Sequence, residues 1–218
     1  MAKKVLLVLG FQNKKFNARK KWHKLADRLE KAGCDVLVSD YGHGEPMNDS
    51  ISSFGKDLAK EIRAFRPDVI IAHSMGCLVT RWAVEQMKCG YPGLKLILME
   101  GPHEGLPDKG LSFGRVVAKI FETIKRLPDW SVPDWVSWKE MQKDSELLNV
   151  LNLSGLDNHR TSLFYYEIGG IFAKLFPETF SLTGAICCTE KKIFPTVTHS
   201  GLKTNPEVAT YILKIINA

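Results

Sequence analysis

With 218 residues, a 44% apolar share and charges of mixed sign, the chain has the make-up of one globular domain with a sizeable core. Its formal charge of +6 is mild and its basic residues are scattered, the densest groups being Lys14-Lys15 and Arg19-Lys20-Lys21. Those groups read as a solvated helix face, with attraction to anionic head groups or anionic substrates as the alternative; no interleaved basic and aromatic stripe points to nucleic acid. The five cysteines (34, 77, 89, 187 and 188) are odd in number and lack zinc-ligand or redox spacing, and no stretch is long enough to span a bilayer. The expectation is a protein of the cytoplasm with reduced thiols, no metal and no cofactor.

The N-terminus, Met1-Ala2-Lys3-Lys4 followed by Val5 to Leu9, is basic then apolar like a signal peptide, but the apolar run is too short and no small-residue cleavage site follows. Lys4 to Leu9 therefore reads as a first buried strand, ending at Gly10-Phe11-Gln12. A helix from about Asn17 to Lys31 follows, stopped by Gly33, then a strand from Asp35 to Ser39 and a turn-rich loop at Asp40 to Pro46. Ser52 to Phe65 is helical by its period, and Val69 to His73 is again a buried strand. Leu94 to Met99 is another, closed by Glu100-Gly101-Pro102-His103-Glu104-Gly105-Leu106-Pro107. Strands alternating with helices imply a parallel sheet whose ligand site lies at the carboxyl ends of the strands, where Gly10, Asp40 and Ser74 fall.

The rhythm stops from Asp108 to His159. That stretch carries two helical patterns, Phe113 to Arg126 and Trp138 to Asn152, joined by a proline-punctuated segment with Trp130 and Trp135. It reads as a helical lid or cap inserted into the single domain spanning residues 1–218. Trp130, Trp135 and Trp138, with Phe113, Val117 and Phe121, offer a surface for acyl chains or a lipid interface, or else bury the insertion on the domain. Afterwards come a strand from Ser162 to Ile168, a loop from Gly169 to Thr183, a short strand around Lys192 to Val197, Thr198-His199-Ser200-Gly201, and a helix from Pro206 to Ile216. No internal repeat or low-complexity linker interrupts the chain.

The chemistry centres on Val69-Ile70-Ile71-Ala72-His73-Ser74-Met75-Gly76, an apolar strand passing through small residues into a helix. A serine at such a turn stands clear of the sheet on a strained backbone, and the flanking Ala72 and Gly76 allow strand and helix to approach. Acyl transfer by serine also needs a base, an acid that orients the base, and N–H donors for the oxyanion. His199, between the last strand and the last helix, is the candidate base. His73 should point away from the nucleophile, and His103 ends a different strand.

With A-H-S-M-G at the turn, V-L-G-F-Q at the first strand end, G-P-H-E-G-L-P, S-E-L-L-N-V-L-N and T-H-S-G-L-K-T-N-P-E-V, the chain resembles the small lipase and esterase branch of the α/β hydrolases. The resemblance implies an α/β fold with a mostly parallel sheet, helices on both faces and a helical lid. It implies that Ser74 is the nucleophile, that His199 is the base, and that the backbone N–H groups of Phe11 and Met75 form the oxyanion hole. Leu9 stands where the family usually has a histidine. Ala72 replaces the first glycine of the family's G-x-S-x-G.

The family's aspartate after Gly169-Gly170 is missing, since the chain reads Ile171-Phe172-Ala173-Lys174-Leu175-Phe176-Pro177 there. Glu100, Glu178 and Asp157 remain as acids. Glu100 is preferred because it closes the strand after the elbow helix, beside the nucleophile strand in a doubly wound sheet, as some lipases place their acid. The expected activity is hydrolysis of a small-molecule acyl ester or lipid through an acyl-enzyme on Ser74. Thioester hydrolysis or acyl transfer with the same machinery is an alternative, as is a catalytically silent protein that binds a lipid or a partner.

Overall fold

The computed structural model describes residues 2–10, 18–39, 41, 48–106, 136–154, 163–175, 177–180, 182 and 188–218. Its strands are β1 (Lys4–Val8), β2 (Asp35–Ser39), β3 (Val69–His73), β4 (Lys95–Met99), β5 (Phe164–Gly169) and β6 (Cys188–Ile193). They form one sheet in the order β2-β1-β3-β4-β5-β6, with every neighbouring pair parallel. The helices are α1 (Ala18–Lys31), α2 (Ile51–Phe65), α3 (Met75–Arg81), α4 (Val136–Glu140), α5 (Glu146–Ser154), α6 (Ile171–Leu175), α7 (Pro177–Phe180) and α8 (Pro206–Asn217).

A parallel sheet covered on both faces needs apolar residues at successive positions, not only alternate ones, and β1 supplies them. Val5 and Leu7 face a cluster with Trp22, Leu25, Ala26 and Leu29 of α1 and Val208, Ala209, Ile212 and Ile216 of α8. Leu6 and Val8 face the other cluster, with Ile51, Phe54, Leu58 and Ile62 of α2 and Met75, Leu78 and Val79 of α3. In each of these longer helices the buried residues recur three or four apart, which turns one stripe toward the sheet. Ends are fixed locally. Ser50 Oγ accepts the Ser53 N–H at 3.0 Å to start α2, the left-handed Arg66 closes it, and Asn205 Oδ1 accepts the Glu207 and Val208 N–H groups ahead of Pro206 in α8.

The register sets the site. Val8 pairs with Ala72, His73 with Met99, and Met99 with Ile168, so β1, β3, β4 and β5 run out at one level. Gly10, Ser74, Glu100 and Gly170 therefore follow neighbouring strand ends.

Four stretches differ from the sequence expectation. The helix expected from Trp138 to Asn152 is divided into α4 and α5. Leu106 interrupts it, donating its N–H to Met141 O (2.7 Å) and accepting the Lys143 N–H (2.9 Å), and Ser145 Oγ then caps the next helix at the Leu148 N–H. The loop expected from Gly169 to Thr183 contains α6 and α7. The last strand begins at Cys188 and ends at Ile193, earlier than expected, because an apolar run is a poor guide to an edge strand whose side chains are mostly exposed; Phe194 and Val197 instead close a turn. Finally, α3 continues as a π turn, Trp82–Gln86. The expected helix Phe113 to Arg126 and the segment to Trp135 lie outside the described residues.

The described part of the Asp108–His159 insertion is fastened to the face carrying α2 and α3. Ser137 Oγ donates to Asp49 O at 2.6 Å and the Glu140 carboxylate accepts the Ile51 N–H, both at the start of α2. Arg81, at the end of α3, donates to Leu151 O (2.8 Å) and Asn152 Oδ1 (3.2 Å) of α5 while pairing with Glu85 at 3.0 Å. Both charged side chains are fully buried, and the Tyr165 hydroxyl donates to the Glu85 carboxylate. Breaking such a pair strands one charge in the core. Glu85→Leu is expected to lower stability by about 3–5 kcal/mol in urea unfolding, and Arg81→Met in the same chain to restore a substantial part of it.

Candidate active site

Ser74 stands between β3 and α3 with φ 58° and ψ −134°, a conformation that costs a non-glycine residue about 1–3 kcal/mol and persists only where the surroundings enforce it. Enforcement comes from the neighbouring strand ends. The Ser74 N–H donates to Met99 O at 3.0 Å, and its own carbonyl accepts the Cys77 N–H at 2.9 Å. A Cβ on Gly10 would lie 2.6 Å from Ser74 Cβ, and one on Gly76 would lie 2.5 Å from Leu9 O, so the small residues permit the close approach of β1's end to the turn. Ser74 is half-buried and does not cap α3 with its hydroxyl. Met75 opens α3, where first-turn N–H groups have no intrahelical acceptor.

Across the strand ends, His199 Nδ1 donates to Glu100 Oε2 at 2.7 Å. Glu100 is fully buried and has φ 50°. Its other oxygen, Oε1, accepts the N–H groups of Gly170 (2.9 Å) and Ala173 (2.8 Å) at the start of α6. A buried carboxylate with three charge-assisted hydrogen bonds, two of them at a helix N-terminus, is held both electrostatically and in orientation. No aspartate follows Gly169-Gly170. The backbone there turns into α6, and the helix start receives a carboxylate from the adjoining strand end. Glu167, buried on β5, is engaged elsewhere, with Lys191 at 2.7 Å and the Leu182 N–H at 2.9 Å. Asp157 and Phe11 lie outside the described residues, and Glu178 is described only through its backbone in α7.

With its Nδ1–H donated in the hydrogen bond to Glu100, the neutral His199 ring keeps Nε2 as a proton acceptor. No hydrogen bond joins Ser74 Oγ to His199 Nε2 among the described residues. The His199 ring packs between His73 (centroids 4.4 Å apart) and Phe172 (5.3 Å), with Phe180 at 6.3 Å. Two contributors went unseen in the sequence. Tyr41, buried, bonds through its hydroxyl to Leu9 O (3.0 Å) and Gly10 O (2.8 Å), and burial pushes its phenol well up, so it stays a donor. Lys203 lies against His73. Neither carries a local motif, although Lys203 sits one turn beyond His199.

His103 is fully buried, and desolvation, reinforced by Arg81, holds it well below the usual histidine range, so it is neutral. Trp138 is buried in the larger hydrophobic cluster with Met141 and Leu148; Trp130, Trp135, Phe113, Val117 and Phe121 lie outside the described residues. Among the described residues no group of three or more histidine, cysteine, aspartate or glutamate side chains is placed to hold a metal ion, and no helix is long and apolar enough to cross a membrane.

No protein-family model and no curated protein matches the sequence. Solved structures do match. The mature form of the Bacillus licheniformis lipase BlEst2 aligns over 99% of this chain and 92% of its own, with a TM-score of 0.68 and 13% identity. A carboxylesterase of the thaumarchaeon Nitrososphaera gargenis aligns over 99% and 91% at 0.60 and 16% identity. Polyneuridine aldehyde esterase aligns over 99% of both chains at 0.57 and 17% identity in its H244A form. Likeness at this level of identity concerns the path of the backbone. The chain has the α/β-hydrolase fold.

Gly10→Ala tests the packing at the turn. The added methyl has to displace Ser74 or the His73 carbonyl, and overpacking of this kind is expected to cost about 1–3 kcal/mol in urea unfolding.

Proposed function

We propose that the protein is a serine hydrolase of carboxylic esters, with Ser74 as nucleophile, His199 as general base and Glu100 as the orienting acid. The observation that carries the reading is the 2.7 Å Glu100–His199 bond beside a serine in a strained strand-to-helix turn. Supporting it, solved structures that align with this one include proteins described as a lipase and a carboxylesterase.

In this mechanism Ser74 Oγ attacks the acyl carbonyl carbon as His199 Nε2 takes its proton. Glu100 keeps the imidazole proton on Nδ1 and stabilises the imidazolium that forms. The Met75 N–H faces the developing oxyanion, with the Phe11 N–H as its partner by resemblance to lipases. Collapse of the tetrahedral species breaks the ester C–O bond, and the alcohol leaves with the proton held by His199. Water then repeats the sequence, its proton passing to His199 and the acid leaving as Ser74 recovers its own. The Ser74–His199 hydrogen bond forms in the substrate complex, where catalytic contacts tighten.

The substrate class is an acyl ester or lipid, and the Asp108–His159 insertion is read as the lid that shapes the acyl site. Its described helices rest on α2 and α3, and α2 starts on the side of the sheet where β2 ends. Thioesters are cleaved by the same steps and form the second substrate class to assay.

p-Nitrophenyl esters of increasing chain length are expected to be hydrolysed, with fluorophosphonate labelling lost in Ser74→Ala. Glu100→Gln places an amide against Nδ1, favours the wrong tautomer and is expected to lower kcat by up to about 10⁴, as in a related triad, with the fold retained. Glu178→Gln is expected to change kcat little. Labelling that survives Ser74→Ala, or a wild-type protein inert to probe and esters alike, would overturn the reading.

A further inference from the structure

A second polar cluster lies beneath His199, and the mechanism above makes no use of it. His73 ends β3 on the face toward α1 and is 4% exposed. Its Nε2 lies 2.8 Å from the backbone carbonyl of His199. A carbonyl only accepts, so Nε2 carries the proton and, in the neutral ring, Nδ1 is bare. Lys203, in the 3₁₀ turn Ser200–Lys203 that follows His199, is 8% exposed. Its Nζ lies 3.2 Å from His73 Nδ1 and 3.5 Å from Nε2, so it leans over the ring, nearer the bare nitrogen.

The charges around the pair agree on a neutral His73. Burial first, then Lys203, then His199 hold the His73 imidazole well below the usual histidine range. Burial, helped by Lys21 of α1 and opposed by Glu100, pushes the Lys203 ammonium down to about 7. Nζ stands over the ring, nearly equidistant from its two nitrogens and out of line with the in-plane Nδ1 lone pair, so what it contributes is a nearby positive charge that opposes a second proton on His73. Trp22 of α1 closes the far side, edge-on to His73 with centroids 6.4 Å apart.

We propose that His73 and Lys203 are positioning residues, which tie the backbone of His199 to the strand that carries Ser74. The inference rests on the ester-hydrolase reading. The Glu100 bond fixes the Nδ1 edge of the His199 ring but leaves the residue free to pivot about that contact. The His73 Nε2–H fixes the backbone end of the same residue, and His73 adjoins Ser74 in sequence, so the two partners of proton transfer share one anchor. The His199 carbonyl sets the tautomer, and Lys203 serves by keeping the ring above which it lies from taking a second proton. A shift of the base by a fraction of an ångström lengthens the proton path without removing a catalytic group.

The test uses the full chain. In ¹⁵N spectra of the wild type, His73, assigned by its absence from His73→Phe, is expected as a neutral ring protonated on Nε2 that stays neutral at pH values where exposed histidines titrate. Lys203→Met and His73→Phe are each expected to lower kcat on a short p-nitrophenyl ester about ten- to a hundredfold. KM should stay within about twofold, since uniform binding is untouched. The double variant should lose no more than the worse single, because both residues act through one contact. Unchanged kcat in both singles, additive losses in the double, or a His73 protonated on Nδ1 would overturn the proposal. Should His73→Phe fail to fold, His73→Gln serves for the assignment, and the His73 tautomer and the kinetics of Lys203→Met decide. A wild type inert to esters and to fluorophosphonate would instead defeat the hydrolase reading, and the spectra would still report whether His73 holds the His199 carbonyl.

Discussion

The contact on which the site depends is the carboxylate of Glu100, shared between the His199 ring and the first N–H groups of α6. One buried anion joins the end of β4, the start of the segment after β5 and the loop before α8. Because a lone buried charge is costly, the N–H groups and the imidazole cannot be withdrawn without exposing it, and each contact therefore enforces the others. The aligned strand ends supply the frame. The clusters on the two sheet faces fix the level at which β3, β4 and β5 stop, and so the spacing of Ser74, Glu100 and Gly170.

The two faces make different contributions. On one side the elbow helix, α2 and the described pieces of the insertion pack together, with Arg81 and Glu85 as a buried ionic joint between α3 and α5. On the other, α1 and α8 cover the sheet and enclose His73 and Lys203 beneath His199. A polar pair inside an otherwise apolar layer costs stability unless its members satisfy one another, and here the His199 carbonyl completes the set.

Much of this was legible in the residues because the physics is local or periodic. The central strands are buried on both faces and read as unbroken apolar runs, and the stripes of α1, α2 and α8 repeat at helical spacing. Glu100 stood out by order alone, since the strand after the elbow helix lies beside the strand that leads into Ser74. The misses have equally physical causes. β6 is an edge strand of exposed Thr189, Glu190 and Lys191, so hydropathy placed it too late. The break between α4 and α5 is made by Leu106, more than thirty positions away in sequence, which no local window contains. Tyr41 and Lys203 act through backbone carbonyls and a neighbouring ring, partners that leave no trace in spacing. His73 was expected to point away from the nucleophile; strand alternation sends it to the α1 side, and only the folded loop brings the His199 carbonyl there.

Ser74 and Glu100 share a further property, since both hold positive φ at the ends of adjacent strands. Neither conformation is one that a serine or glutamate adopts for its own sake. Each is tolerated because the surrounding hydrogen bonds and close contacts leave no other path, and glycine would occupy either position with less strain. Under the chemistry proposed for Ser74 and Glu100, thermal robustness and activity pull in opposite directions at these points. Selection for heat resistance alone would drift toward a smoother elbow, and a population freed from the need for activity would be expected to lose these side chains before it lost the sheet.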